Sequence, residues 1–458
     1  MIRAVLAAVV SGFASAEPPN VILIVIDDPG YADFDTENRP ADVVTPNLDA
    51  LVAQSTRYAN GYVTAPICNA SRLALLTGRY QQRFATEWYG GPGLNGSVAP
   101  TLADVFHQAG YRTGMVGKVH HGGQDTAASR NHPLNHGYDS FFGFLNSTKH
   151  YLKHSKAFAK PCLAPLAVGP MFRDGKEMDV GGFSTGLFGD EARKFVTANA
   201  AAPFFLHLSF NALHNYTPQL PPEYLAAKGI PAFGDFDPEK ESLSAWRKRL
   251  SYPANKHGRA YYLGQLHFLD LEIGKLMATL KETGVDDRTA VFLIGDNGGS
   301  LVTYADNGGL RGGKYMLFEG GTRVPFWVRW PGGGRAGVNE KSFVSSLDLL
   351  PTFARLCGTE APEGLDGVPL EEAVAERKLF WDTGFEQAVR HGKWKWLKTN
   401  KPPNPKLQIT PTPQGEFLYD LEQDPGEATN LIGENQGIAA RLAEDHRLWR
   451  KAVKQGGP

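Results

Sequence analysis

The sequence contains little cysteine: three occur in 458 residues, at Cys68, Cys162 and Cys357. Three cysteines are too few for a disulfide framework, and their odd number leaves at least one without an intramolecular partner. No Cys/His cluster has the spacing of a zinc site. We therefore expect neither a disulfide scaffold nor bound zinc, and whether Cys162 and Cys357 pair stays open.

The chain also lacks an excess of charge of either sign. Its 47 Lys and Arg residues are balanced by 48 Asp and Glu residues, whereas nucleic-acid-binding and polybasic membrane proteins usually carry a basic excess. Repeats, heptads and low-complexity segments are missing too. We therefore expect no nucleic-acid partner, and an ordinary globular chain of this length should form one large domain plus a smaller one.

Long hydrophobic runs are also missing. The apolar run at residues 4–10 is too short to span a bilayer, and no later segment is long enough. Arg3 precedes this run and small residues at 14–16 follow it, which is the order of a secretory signal peptide. We predict a signal peptide over residues 1–16 and a soluble mature protein that is secreted or periplasmic, without a membrane span.

What the sequence does contain is a set of apolar, β-rich runs with helical segments between them. Residues 21–26 and 290–295 are typical of strands buried on both faces of a sheet. Further strands are predicted at 111–117 and 203–210, and helices at 45–54, 101–109 and 258–282. This alternation predicts an α/β fold with a large, mostly parallel sheet between helices.

Each of these four strands ends in polar residues. Ligands of parallel sheets bind beyond the carboxyl ends of the strands, so all four polar ends should face one crevice. These ends carry Asp27, Asp28, Lys118, His120, His121, His214, Asp296 and Asn297. An aspartate after a strand is often just a turn residue, but several that share one crevice are harder to explain in that way.

The acids at this crevice predict a cation site. Two carboxylates about 4 Å apart repel by roughly 4 kcal/mol at an effective dielectric of about 20, and a bound cation removes that penalty. Asp27, Asp28, Asp296 and Asn297 offer oxygen ligands only. Hard divalent ions prefer such ligands, so we predict one Ca²⁺, with Mg²⁺ as the alternative.

Cys68 opens the segment CNASRLALLTGR, residues 68–79. The apolar residues 73–76 indicate a helix, which places Cys68 at a helix N-terminus, where negative charge is favoured. Three interpretations remain open at this point. Cys68 is a core cysteine, a thiolate nucleophile paired with His120 or His214, or the precursor of another group. A thiolate beside a hard cation is an unusual pairing.

The chain resembles the type I sulfatases of the alkaline phosphatase superfamily, whose nucleophile is a formylglycine made from a cysteine. Residues 68–72 and 76–79 are similar to the modification signature, although Ala70 stands where the family usually has proline. This alanine variant resembles signatures that some maturation systems read. Further similar blocks lie at residues 19–28, 117–120, 295–298, 310–314, 319–325, 418–421 and 424–425.

The resemblance implies a nucleophile and a metal site. A hydrated formylglycine at position 68 would attack the sulfur of a sulfate ester with one hydroxyl, and the second hydroxyl would then lose its proton and expel sulfate. The implied calcium ligands are residue 68, Asp27, Asp28, Asp296 and Asn297. The implied partners are a sulfated sugar or oligosaccharide and a maturation enzyme that generates formylglycine.

The resemblance also implies roles for the charged residues nearby. Arg72 would orient the nucleophile, and Lys118 and Lys314 would hold the sulfate oxygens. His120 would accept a proton, and His214 would donate one to the leaving oxygen. Weaker candidates for substrate contacts, each with a packing role as the alternative, are Trp88, His121, His150, Tyr151, His154, Arg311 and residues 394–396.

Other functions remain open beside hydrolysis of a sulfate ester. The chain could be a phosphate or phosphonate ester hydrolase of the same superfamily, or a glycan-binding relative without catalysis.

Residues 393–398 and 416–421 predict a β-hairpin, and apolar residues between 438 and 449 indicate a closing helix. We expect a catalytic domain over residues 17–350 and a C-terminal α+β subdomain over residues 351–458.

Overall fold

The computed structural model describes residues 18–122, 126–332, 335–401 and 412–457. The predicted signal peptide, residues 1–16, lies outside the described residues. Over these residues the chain forms one mixed sheet of ten strands and one antiparallel sheet of four, which confirms the predicted fold class. No helix within the described ranges is long and apolar enough to cross a bilayer.

The large sheet has a parallel centre. In chain order its strands are β1 (Asn20–Ile26), β2 (Thr56–Tyr62), β3 (Arg112–Lys118), β4 (Ser140–Phe144), β5 (Met171–Arg173), β6 (Lys176–Met178), β7 (Phe204–Ser209), β8 (Thr289–Gly295), β9 (Phe326–Arg329) and β10 (Gly337–Ser345). Their spatial order is β10-β2-β9-β8-β1-β7-β3-β4-β5-β6. The central strands β8, β1, β7, β3 and β4 are parallel to one another, so their carboxyl ends meet at one edge.

Strand β1 lies in the middle of this sheet and is buried on both faces. Its odd-numbered residues from Val21 to Val25 pack into one hydrophobic core, and its even-numbered residues from Ile22 to Ile26 pack into the other. Successive side chains of a strand point to opposite faces, so an unbroken apolar run is what a strand between two helical layers needs.

Helices cover both faces of the sheet. They are α1 (Pro46–Val52), α2 (Cys68–Thr77), α3 (Leu102–Gln108), α4 (Ser184–Asn199), α5 (Pro222–Ala227), α6 (Leu243–Leu250), α7 (Gly258–Glu282), α8 (Glu319–Thr322), α9 (Leu349–Leu356) and α10 (Gln436–Gln455). Helices α2, α3 and α9 pack on one face, and α1, α4 and α7 pack on the other. Thr101 and Asp104 form a capping box that fixes the start of α3.

The small sheet consists of β11 (Lys378–Asp382), β12 (Glu386–His391), β13 (Trp394–Thr399) and β14 (Gly415–Asp420). Strands β13 and β14 pair antiparallel, as the sequence predicts. One face of this sheet packs on Tyr62, Phe343 and residues 316–318, and the other packs on α10 through residues such as Trp396 and Leu442. The predicted boundary at residues 350 and 351 falls within α9, whose Phe353 lies in the hydrophobic core on one face of the large sheet.

Candidate active site

Two neighbouring strands bring the acids together. The last residues of β1 and β8 are paired in register, so the residues that follow them leave the sheet side by side. The Asp28 N–H donates to Asp296 Oδ1 at 3.2 Å, and Asn297 Nδ2 donates to Asp28 Oδ1 at 2.7 Å. Asp27, Asp28, Asp296 and Asn297 are completely buried. The predicted acids therefore do share one crevice.

Cys68 is the first residue of α2 and points at these acids. Its Sγ lies 3.4 Å from Asp27 Oδ1 and 3.9 Å from Asp28 Oδ1. Ligand atoms of Asp27, Asp28, Cys68 and Asp296 all lie within 4.8 Å of one another. Burial, and next the charge of Asp296, raises the pKa of the Cys68 thiol well above its usual value. The surroundings therefore disfavour a thiolate.

This donor set fits a hard cation. Burial raises the pKa of Asp27 to about 7, against the opposing charge of Lys118, so the protein's own charges stabilise this carboxylate incompletely. The buried Oδ1 of Asn297 has no hydrogen-bond partner among the described residues. An oxygen left without a partner beside clustered carboxylates is a ligand that Ca²⁺ or Mg²⁺ would accept.

Arg72 joins three elements of the site. It lies one turn after Cys68 in α2, its Nε–H donates to Asp296 Oδ2 at 2.8 Å, and its Nη1 donates to Ser209 Oγ at 2.5 Å and to the Lys118 carbonyl at 3.2 Å. These contacts tie α2 to the ends of β8, β7 and β3. Ser209 is a site residue that the sequence reasoning missed, although its position at the end of β7 is a signal that could have found it.

Two lysines neutralise the other two acids. Lys118 Nζ lies 2.6 Å from Asp27 Oδ2, and Lys314 Nζ lies 2.7 Å from Asp28 Oδ2. Lys118 follows Gly117, where a Cβ would lie 1.9 Å from the Ser209 carbonyl oxygen, so only glycine permits this approach of β3 to β7.

Two histidines complete the cluster. His214 Nε2 lies 3.9 Å from Asp28 Oδ2, and a ring nitrogen of His214 lies within 4.8 Å of the Cys68 sulfur. His120 is buried, and its Nδ1 has no partner in the part of the chain that the structure describes. Burial lowers the pKa of both well below the usual value, helped by Lys118 at His120 and Lys314 at His214. Both rings are therefore neutral in this environment.

Two of the weaker candidates, His150 and Arg311, are held by contacts with other parts of the protein. His150 Nδ1 accepts the Leu152 N–H at 3.0 Å, and its Nε2 lies 3.2 Å from Asp235 Oδ2. The Arg311 guanidinium lies over the Phe318 ring at 4.2 Å, and its Nη1 donates to the Glu427 carbonyl at 2.6 Å. Each contact holds a loop in place.

The remaining candidates lie in different surroundings. His121 is buried with its ring centroid 5.5 Å from that of His136. His154 Nε2 lies 3.0 Å from the buried Tyr151 carbonyl, and residues 394–396 belong to β13 of the small sheet. Trp88 alone packs beside the nucleophile, in a cluster with residues 67 and 70.

The cysteines outside the site do not form a disulfide. Cys68, Cys162 and Cys357 are all free, with Cys162 exposed and Cys357 half-buried. The question that the sequence left open is thereby answered: Cys162 and Cys357 do not pair in this structure.

The sulfatase family model matches residues 19–359, and the model of the C-terminal region of N-sulphoglucosamine sulphohydrolase matches residues 313–453. The chain belongs to the sulfatase family. This sulfatase is 32% identical to human arylsulfatase A over 96% of its own length and 88% of that protein. It is 29% identical to mouse N-acetylgalactosamine-6-sulfatase over 96% of its own length and 88% of that protein.

A solved structure has the same architecture. The crystal structure of Ps i-CgsB in complex with k-i-k-neocarrahexaose superposes on this sulfatase with a TM-score of 0.78 and 29% identity, covering 96% of this chain and 94% of that one. The chain is thus a sulfuric ester hydrolase of the alkaline phosphatase superfamily. Members of its family use a metal ion and a formylglycine, and the residues around Cys68 fit both groups.

Proposed function

We propose that this sulfatase releases sulfate from a sulfated saccharide, with a formylglycine made from Cys68 as nucleophile. Asp27, Asp28, Asp296 and Asn297 would hold one Ca²⁺. The observation that carries the proposal is the balance of buried charge around Cys68, where each of three carboxylates contacts one of three cations.

This balance suits a substrate with a single negative charge. The three carboxylates and three cationic side chains sum to zero formal charge. A divalent cation, a sulfate monoester and an ionised nucleophile together also sum to zero. A doubly charged phosphate monoester would leave one buried negative charge unbalanced, which is costly in a closed site. The site therefore favours sulfate esters over phosphate monoesters.

The formylglycine would supply the covalent chemistry, and the cation would supply the electrostatics. Hydrated formylglycine offers two hydroxyls, one to attack sulfur and one whose deprotonation releases sulfate, and a divalent cation lowers the pKa of an oxygen bound to it. The protein's own contribution is to hold that oxygen in place. Residue 68 is fixed at the start of α2, and Arg72 in the same helix is tied to Asp296 and Ser209.

The lysines and histidines would act on the substrate. With a cation on the acids, Lys118 and Lys314 would exchange their carboxylate contacts for sulfate oxygens, a role that suits a flexible point charge. The neutral His214 would donate its N–H to the leaving oxygen. The Nδ1 of His120, which has no described partner, is free to accept a proton.

A saccharide is the substrate class that the relatives support. The mouse relative is named for N-acetylgalactosamine 6-sulfate, and the structural neighbour holds a neocarrahexaose. Export through a signal peptide over residues 1–16 would bring the enzyme to such glycans, in the periplasm or outside the cell. A maturation enzyme that reads the Ala70 variant of the signature would have to act first.

A substrate comparison tests the proposal. The protein from its own host would be assayed with monosulfated hexoses, an aryl sulfate, an aryl phosphate and an aryl phosphonate monoester. We expect sulfate release from the first two to exceed turnover of either phosphorus ester. Faster turnover of the phosphonate would identify a phosphonate hydrolase, and glycan binding without any turnover would identify a binding relative.

A further inference from the structure

We propose that four aromatic rings beside the nucleophile form a subsite for the pyranose ring that carries the sulfate. We name this cluster the aromatic wall; it consists of Trp88, Tyr89, Tyr315 and Phe385. The inference rests on the proposed function, because the wall receives a sugar only if the sulfate ester is bound at residue 68.

The four rings pack together in one cluster, with tilted or edge-to-face contacts between neighbours. The Trp88 ring centroid lies 5.9 Å from that of Tyr89, 6.1 Å from that of Tyr315 and 5.7 Å from that of Phe385. Trp88 packs inward, but Tyr89 keeps 47% of its surface exposed. Trp88 and Phe385 are half-buried and Tyr315 is buried. An exposed ring packed against such rings presents an apolar face, which is how binding sites meet apolar ligand surfaces.

The wall adjoins the catalytic cluster on two sides. The Tyr315 N–H donates to the Pro66 carbonyl at 2.8 Å, two residues before Cys68, and Trp88 packs against the apolar cluster that contains Ala70, two residues after it. Lys314 Nζ lies 5.4 Å from the centroid of the Tyr315 ring and 2.7 Å from Asp28. A sulfate held by Lys314 would therefore have the wall as its neighbour.

The wall also keeps a polar group for the ligand. The hydroxyls of Tyr89 and Tyr315 lie 2.7 Å apart. Two hydroxyls that share one hydrogen bond retain one O–H donor between them. Burial raises the pKa of both groups, so both stay protonated. An apolar face with one O–H donor at its edge matches a pyranose, which has C–H faces and hydroxyls at its rim.

The backbone of Tyr315 gives a second indication. Its φ is +76°, in the left-handed region that bulky residues rarely adopt. Such a conformation persists only where the surroundings hold it, and such residues concentrate at functional sites. Here the Tyr315 ring is buried beside Ala70 in the same cluster and has Lys314 Nζ 5.4 Å from its centroid.

The test distinguishes binding of the sugar ring from binding of the sulfate group. In a Cys68→Ala background, which prevents turnover, calorimetry would measure the binding of monosulfated hexoses and of inorganic sulfate. Tyr89→Ala should weaken binding of the sulfated hexose about tenfold, the value of one aromatic contact, and Tyr315→Phe should weaken it to a smaller extent. Both should leave the affinity for inorganic sulfate unchanged.

The control is Leu448→Ala, which truncates a side chain that is 51% exposed on α10 and should change neither affinity. Unchanged binding of sulfated hexoses in both tyrosine variants would overturn the inference, and so would an equal loss of hexose and inorganic sulfate binding. Failure of the proposed function would appear elsewhere, as the absence of sulfate release by the protein with Cys68 intact.

Discussion

The Arg72 Nε–H donates to Asp296 Oδ2 across 2.8 Å, with both side chains buried. This bond joins the helix that begins with Cys68 to the strand end that carries two proposed metal ligands. One guanidinium therefore fixes the position of the nucleophile relative to the metal site, and it also donates to Ser209 Oγ.

Arg72→Lys keeps the charge but loses the fork of donors. We expect kcat/KM for a sulfate ester to fall by about two orders of magnitude, as when one positioned donor is removed from an active site. Arg447→Lys, at an exposed pair with Glu444, should leave activity unchanged. Near-normal activity of Arg72→Lys would show that the three-way bond does not position the nucleophile.

Removal of the metal should abolish activity and lower stability. The proposed ligands are buried acids that repel one another, so a bound cation should stabilise the folded state by about 2.7 kcal/mol at a concentration one hundred times its Kd. We expect a chelator to lower Tm and added Ca²⁺ to restore it. Asn297→Leu, which removes the oxygen without a described partner, should largely abolish this Ca²⁺-dependent shift, and a full shift in that variant would contradict the assigned ligand.

A buried ion cluster links the small sheet to α8. Lys395 Nζ lies 3.0 Å from Glu319 and 2.9 Å from Glu427, and all three side chains are fully buried. Lys395→Met removes the buried cation that Glu319 and Glu427 share, and of the two only Glu319 has further ion pairs among the described residues, with Arg323 and Arg390. We therefore expect a loss of about 3–5 kcal/mol in the free energy of unfolding.

The matched control for this cluster lies on the same strand. Lys398 forms a half-exposed pair with Glu416, so Lys398→Met should change the free energy of unfolding by less than about 1 kcal/mol. Urea denaturation measures both variants. Equal losses in the two variants would mean that burial does not determine how much each ion pair contributes to the free energy of unfolding.

Glu386 should make stability fall as the pH rises. Burial raises the pKa of Glu386 from 4.5 to about 7, so the folded state binds its proton more tightly than the unfolded state does. Its contribution to stability is fully present below about pH 4.5 and is lost as the pH rises to about 7. Glu386→Gln removes this loss and keeps an acceptor for the Leu317 N–H.

The measurement is thermal unfolding of both proteins between pH 5 and pH 8. The Tm of Glu386→Gln relative to that of the parent should increase over this range. Parallel pH profiles would show that the carboxyl group of Glu386 titrates normally in the folded protein.

The sequence predicts the centre of the fold better than its edges. Strands β1 and β8 are recognisable because they are buried on both faces and therefore contain unbroken apolar runs. The antiparallel strand β9 has four residues and β5 has three, too few to give a periodic pattern. Their pairing depends on packing between distant segments.

The site, like the fold, could be predicted from the sequence only in part. The acids follow strands and Lys118 is the last residue of one, so topology brings them together, whereas the roles of the histidines come from the resemblance to sulfatases. Tyr89 and Tyr315 are separated by 226 positions, and only the folded loops bring their hydroxyls into contact. His150 was a candidate for substrate contacts because its residue type suits that role, whereas its bonding to Asp235 depends on a loop 85 residues away.

The central claim is that Cys68 is the precursor of the nucleophile. The most direct measurement is the mass of the tryptic peptide Tyr58–Arg72 in protein purified from its own host, combined with sulfate release by the same sample. We predict that the thiol is replaced by an aldehyde or its hydrate and that activity scales with the modified fraction. An unmodified, alkylatable Cys68 in a sample that releases sulfate at full rate would contradict the account.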